Sequence, residues 1–245
     1  PPFDRCLGNA PSNSILKYHN WLFFRYAAEQ SGGTNLAGGG EDLFEAFWAN
    51  IARGERALDA YGGALAAQGA TFGDMYHDYA ITAGFMQACP AGTPYCFEEA
   101  AGYVGTEGLP ATHGQIDAVG GAVEQALENH YALHWIELPV SGSYGVGLEN
   151  LSAGGQFRVS VVAYTPGGLD VQPLPGLVNG NESVTLSTYV PPPGATRVLA
   201  VVTNEEQLSG APSSCTVNPY RLSTPTATPA NVAISVDAPQ NVIAT

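Results

Sequence analysis

Apolar positions recur at three- and four-residue intervals along the first ninety residues, and every second residue from about residue 131 onward. A change of period from 3.6 to 2 separates a helical part from a β part. In the segment 14–30 (SILKYHNWLFFRYAAEQ), Ile15, Tyr18, Leu22, Tyr26 and Glu29 share one helical face, with Leu16, Phe23 and Ala27 beside them. So wide a face predicts a well-buried helix, stopped by Ser31, Gly32 and Gly33. Glu41 and Asp42 open a second helix, where acidic residues suit the positive end of the helix dipole. Its apolar stripe is Leu43, Phe44, Phe47, Trp48 and Ile51. A third helix from about Glu55 to Ala67 turns Leu58, Tyr61 and Leu65 inward. Thr71 with Asp74 three residues later predicts an N-cap, a variant of the capping box. The helix it starts has Phe72, Met75, Tyr76, Tyr79 and Ala80 on one side and ends near Gln87. The stretch 116–127 reads as helix or loop, because Gly120 and Gly121 weaken a helix.

Strands are predicted over 134–138, 144–148, 157–164, 183–189 and 197–203, with a closing strand over 216–222. Pro- and Gly-rich clusters at 166–168, 179–181 and 191–194 punctuate them. Short strands with such turns predict an antiparallel sandwich. Residues 223–230 (STPTATPA) then read as an extended linker. They are followed by 231–237 (NVAISVD), in which Val232, Ile234 and Val236 alternate with small or polar residues. The expected fold class is α+β. A small helical bundle occupies 1–130 and an antiparallel β-sandwich 131–222, before the Thr/Pro linker 223–230 and a C-terminal strand and tail, 231–245.

Composition changes the picture by placing the chain outside the cell. Only 12% of its 245 residues are charged, about half the usual share. Lys17 is the single lysine, and the balance of 22 acidic against 8 basic residues gives −14. A field of that sign repels phosphate backbones and anionic lipid, so nucleic acid is excluded as a partner. No apolar run is long enough to span a bilayer. The chain begins Pro1-Pro2-Phe3 without Met and reads as a processed product. Four cysteines allow three pairings. The loop Cys89–Cys96 is short and rich in Pro and Gly, so it closes at little entropic cost. The expected bridges are therefore Cys89–Cys96 and Cys6–Cys215, which fit an oxidising compartment. The alternative, four ligands to one zinc ion, lacks any C-x2-C pair.

Candidate chemistry is sparse. His130 and His134 have the i, i+4 spacing of two metal ligands but no accompanying glutamate, and they sit where the pattern turns to strand. Asp74, His77 and Asp78 group a histidine with two acids on one helix. No nucleophile is marked nearby, so the expectation is a solvated helix face. Glu98 and Glu99 are adjacent and point apart. There is no H-E-x-x-H, no phosphate loop around Gly38–Gly40, no dinucleotide fingerprint at Gly145–Gly147 and no nucleophile elbow at Ser143. No catalytic, metal or cofactor residue is assigned. Asn150 and Asn181 head N-x-[ST] sequons, and Thr224, Thr226 and Thr228 are candidate O-glycan acceptors. Trp135, Tyr144, Tyr164 and Tyr189 could stack on sugars, although aromatics at strand spacing are more often core.

The runs YHNWLFFRYAAEQ (18–30), LFEAFW (43–48), ALDA onward to Leu65 and TFGDMYHDYA (71–80) together resemble the region that follows the zinc site in a family of bacterial secreted proteins assigned as metalloproteases. The likeness covers about residues 14–87, with the general architecture continuing to about 222. It implies small helices and a C-terminal β region behind a zinc-binding helix. The family's metal ligands would lie before Pro1, so none maps onto this chain. The expected function is a non-catalytic secreted or cell-surface module acting by association. Self-association or a surface partner would engage the strand carrying Val232, Ile234 and Val236. The alternatives are the accessory C-terminal half of a secreted zinc metallopeptidase, or a carbohydrate-binding module.

Overall fold

A computed structural model describes residues 20–31, 40–88, 93–98, 100–107, 109–206 and 215–227. Five helices come first: α1 (Asn20–Gln30), α2 (Gly40–Ala52), α3 (Ala57–Ala67), α4 (Phe72–Phe85) and α5 (Ala100–Glu107). Nine strands follow: β1 (Gly114–Gln115), β2 (Ala122–Glu128), β3 (Ala132–Glu137), β4 (Tyr144–Asn150), β5 (Phe157–Thr165), β6 (Gly168–Pro173), β7 (Ser183–Tyr189), β8 (Arg197–Asn204) and β9 (Val217–Ser223). They form a five-stranded sheet, β1-β3-β8-β5-β6, and a four-stranded sheet, β2-β9-β4-β7. Every pairing is antiparallel except β1 with β3. The architecture is α+β with a β-sandwich, as the periodicity predicts.

The central strands bury both faces, because successive side chains point opposite ways. Ile136, Val159, Val161, Ala200 and Val202 meet Leu127, Val146, Leu148, Tyr220 and Leu222 of the second sheet. Leu133, Trp135, Val162, Leu199 and Val201 face away and close a second core with Phe23, Tyr26, Leu43, Tyr61, Leu65, Tyr76 and Ile81. Three layers result: helices, five-stranded sheet, four-stranded sheet. Burial on both faces is why β8 is a continuous apolar run.

α4 lies on the five-stranded sheet. Thr71 caps it, its hydroxyl accepting from the Asp74 N–H at 3.0 Å, and Met86 ends it in the left-handed conformation. Its sheet-facing residues are small where the sheet is large. A Cβ at Gly84 would lie 2.7 Å from Trp135 Nε1, and that indole N–H donates to Ala80 O at 2.8 Å.

Several expectations need correction. Residues 122–128 are neither helix nor loop: β2 pairs with β9 over its whole length. Only Leu127 in it is fully buried, with Val123 and Gln125 half-buried, so its alternation is muted. The β region therefore opens at Gly114, ahead of residue 131. β6 returns from β5 through the cluster at 166–168. Trp48, expected in the α2 stripe, is 63% exposed. Pairing also runs on into the Thr/Pro segment. Ser223 ends β9, the Gly145 N–H donates to Pro225 O at 2.7 Å, and Thr226 bridges Tyr144. The chain thus stays tied to β4 as far as Thr226 after β9 has ended. Thr228, Val232, Ile234 and Val236 lie outside the described residues, as do Ile15, Leu16 and Tyr18. Cys96 and Cys215 are disulfide-bonded. Cys6 and Cys89 lie outside the described residues, so the pairing Cys89–Cys96 with Cys6–Cys215 stands as a proposal. Among the described residues, no helix is long and apolar enough to cross a membrane.

Candidate functional site

The polar centre of the molecule is the seam where α4 crosses β5 and the end of β8. Arg158, second residue of β5, forks onto Glu205 through Nε (2.7 Å) and Nη2 (3.0 Å). Its Nη1 donates to Asp74 Oδ1 at 2.6 Å. A bidentate guanidinium–carboxylate pair is the strong form of this contact, and here it ties strand, sheet end and helix together. Gly73 makes room for it, since a Cβ there would collide with Glu205 Oε2.

One turn further along α4, His77 enters the seam. Its Nε2 lies 2.8 Å from Ser160 Oγ and its Nδ1 2.9 Å from Thr203 Oγ1. The Thr203 hydroxyl donates to Glu205 Oε1 at 3.3 Å. A hydroxyl has one proton to give. Thr203 therefore accepts from Nδ1–H, which leaves Nε2 as the acceptor for Ser160 O–H. Burial, then the Arg158 charge, hold the His77 imidazole down to about 3, with Asp74 pulling the other way. The solvated face expected of Asp74, His77 and Asp78 is thus wrong for His77, which is 4% exposed.

Ser160 and His77 stand at the separation of a nucleophile and its base. A working base must hold a proton in turn, and this environment disfavours the imidazolium. Ser160 is also buried in mid-strand, paired to both β8 and β6. What the arrangement does is clamp α4 to the sheet.

Two clefts of about 610 Å³ each border Arg158. One is polar, walled by Thr71, Gly154, Gln156, Asn179, Glu205 and Glu206. The other runs under the β6–β7 connection, past His77, Asp78, Ile81, Tyr95, Val171 and Pro173. In it, burial and then the charge of Asp74 push the Asp78 carboxyl up to about 6, against Arg158.

The remaining sequence candidates do not converge. His130 sits in a turn at φ 57°. His134 points between the sheets, with Nδ1 2.9 Å from Tyr220 OH and its ring stacked on His113 at 4.4 Å. Among the described residues, no three metal-ligating side chains cluster. The Glu98 carboxylate lies 3.7 Å from Arg25 Nη2 and its N–H donates to Glu29 Oε2 at 3.1 Å, while Glu99 lies outside the described residues. The Asn150 amide is buried, donating to Gly154 O and Gly155 O and accepting from the Ser152 N–H and hydroxyl, which leaves it no reach to a glycan. Asn181 is exposed. Thr224 is buried, its hydroxyl donating to Ala118 O at 3.1 Å, whereas Thr226 is exposed. Of the aromatics considered for sugar stacking, Trp135, Tyr144 and Tyr189 are core, and Tyr164 is 41% exposed. Sequence reasoning missed Arg158, Ser160, Thr203 and Glu205. Their signal was polar residues at 158 and 160 on one face of an otherwise apolar strand.

No family model matches the chain, and no curated protein matches it. Among solved structures it is similar to the crystal structure of PirA, at 15% identity over 42% of this chain and 92% of that one, with a TM-score of 0.29. It is also similar to the pre-peptidase C-terminal domain of collagenase from Bacillus anthracis, at 8% identity over 47% of this chain and 97% of that one, with a TM-score of 0.27.

Proposed function

We propose that the chain is a non-catalytic extracellular module that acts by association with a partner. One observation carries this reading: His77 and Ser160, the pair nearest to a catalytic arrangement, are buried and take part in seating α4 on the sheet. The disulfide-bonded Cys96 and Cys215 and the low charge content support an oxidising, extracellular setting. The segment 231–237 is the proposed association strand. It follows a stretch tied to β4 as far as Thr226, close to where Tyr144 pairs with Tyr189 of β7. β7 is the last strand in that sheet's order, and an extended segment can add to such an edge.

The test is turnover. The purified chain, with and without zinc, is given peptide, ester and glycoside substrates and a serine-directed phosphonate probe. No turnover and no labelling are expected, and turnover abolished by Ser160→Ala would overturn the reading. Deleting residues 228–245 and weighing both forms by light scattering tests the strand; two monomers at high concentration would remove it from the account. The resemblance of residues 14–87 supports a second reading, the accessory half of a secreted zinc peptidase. Stoichiometric zinc with peptide cleavage in the intact natural material would favour it.

A further inference from the structure

We propose that the cleft between α4 and the β6–β7 connection binds a primary alkylammonium group, the chemistry shared by a lysine side chain and a free aliphatic diamine. The inference rests on the association reading and names the chemistry of its partner.

The anchor is Asp78. It lies one turn after Asp74 on α4, but the two carboxylates have different fates. Asp74 is taken by Arg158. Asp78 is half-buried, and although its backbone carbonyl accepts from the Thr82 hydroxyl at 2.8 Å, its carboxylate has no hydrogen-bond or ion-pair partner among the described residues. A carboxylate removed from water without a partner is costly, and an incoming ammonium relieves that cost. The walls suit what carries the ammonium. Ile81, Val171, Pro173 and Leu177 are apolar, and an aliphatic stem packs on such surface while its charged head stays polar. Tyr95 adds an aromatic wall, and it is held at φ 57°, a conformation that tyrosine rarely adopts.

Among the described residues, every arginine is already committed elsewhere. Arg25, Arg53, Arg56, Arg158, Arg197 and Arg221 are each paired with a carboxylate. The sequence has one lysine and a net charge of −14, so the long-range field draws cations from outside.

Charge at the site is switchable by pH. The groups facing Asp78 are Asp74, Arg158, Tyr26 and Tyr95, with His77 adjoining on α4. Asp74 is held low, the contacts to Thr71 and Arg158 prevailing over burial. Burial and the Asp78 charge raise both tyrosines, and His77 stays neutral down to about 3. Asp78, pushed up to about 6, is the member of this group that titrates between pH 5 and 7. Its ionised fraction falls about tenfold over that interval, and affinity falls with it.

The experiment is calorimetric titration of the full chain with 1,5-diaminopentane, with a lysine-containing peptide, and with the same peptide acetylated on the lysine amine. One-to-one binding of an amine is expected, at least tenfold weaker for the acetylated peptide, for Asp78→Asn and at pH 5. Tighter binding of the diamine assigns a free amine; tighter binding of the peptide assigns a polypeptide partner. The proposal is overturned if neither amine binds at roughly 10 mM, a weak limit of about 3 kcal/mol, or if Asp78→Asn binds as wild type. Should that variant fail to fold, the acetylated peptide and the pH 5 titration on wild-type protein decide alone: equal affinity in both overturns the proposal. Failure here leaves the absence of turnover, which tests the association reading, as a separate result.

Discussion

His77→Gln should flatten the acid sensitivity of the fold. The amide of glutamine offers a donor and an acceptor, so it can replace the contacts to Thr203 and Ser160 without a titrating group. In the wild type the folded imidazole is held down to about 3, while in the unfolded chain it titrates near 6.5. Above pH 6.5 both states are neutral and the group contributes nothing to pH dependence. Between 6.5 and 3 the unfolded state binds a proton that the folded state refuses, so stability falls as pH falls. At pH 4.5 the unfolded imidazole is protonated about a hundredfold over its neutral form, and the folded one is still neutral. The loss is then roughly 3 kcal/mol, a large part of a typical total stability of about 5–15 kcal/mol.

Other groups act over the same range. His134 is held down to about 3 by burial and then by His113, and it adds a loss of the same sign. Asp78 is raised to about 6, so its folded state takes a proton first and stability is gained as pH falls toward 3.8. Comparing the two proteins cancels both. The assay is urea unfolding followed by tryptophan fluorescence at pH 7.5 and 4.5, with Trp135 as the buried reporter. Wild type should lose roughly 3 kcal/mol more than His77→Gln between the two pH values. If the losses agree within about 0.5 kcal/mol, near the error of the extrapolation, His77 is not the buried neutral group described here.

Gly84→Ala should destabilise by roughly 1–3 kcal/mol through overpacking, because the new methyl meets the Trp135 indole at 2.7 Å; thermal unfolding by circular dichroism checks it, and an unchanged midpoint would mean that α4 sits farther from the sheet. Arg158→Met should lower stability by about 2 kcal/mol, below the full figure for a buried pair, because Arg158 is 27% exposed, and Glu205→Gln in the same background should recover part of it. Non-reducing peptide mapping should yield Cys89–Cys96 and Cys6–Cys215; a Cys6–Cys89 or Cys6–Cys96 peptide would refute the loop-closure argument.

Period and punctuation carried most of the architecture. The Thr71 cap and the α4 register were legible because capping is a local contact between neighbours in sequence. The runs at 157–164 and 197–203 were legible because strands buried on both faces admit almost nothing polar. β2 was obscured by its place on the outside of the second sheet. Ala122, Glu124 and Ala126 are exposed there, so its alternation contrasts small with polar residues. β6 was hidden by its brevity and by a Pro-Gly-Gly turn at its start. Trp48 shows the opposite failure: an aromatic at the right helical spacing need not face the core. The seam was illegible for a different reason. Its members are 83 and 126 residues apart at the two His77 contacts, and no local pattern records which helix a polar strand residue meets.

The seam and the cleft are two consequences of how α4 is seated. Gly73 and Gly84 let the helix approach the sheet closely, and three separate contacts hold it there: Arg158 to Asp74, His77 to Ser160 and Thr203, and Trp135 to Ala80. A helix held along its length cannot rotate to carry Asp78 into bulk water. The carboxylate stays where burial disfavours its charge, so its strained ionisation is a property of the whole helix position. A site organised in this way before its ligand arrives loses little freedom on binding. The Asp78 carboxyl resonance, titrated by NMR, should therefore move toward the ordinary carboxylate range in Gly84→Ala, which disturbs the seating from the far end of α4 without touching the cleft. A titration unchanged from wild type would show that the charge is set by the cleft walls alone.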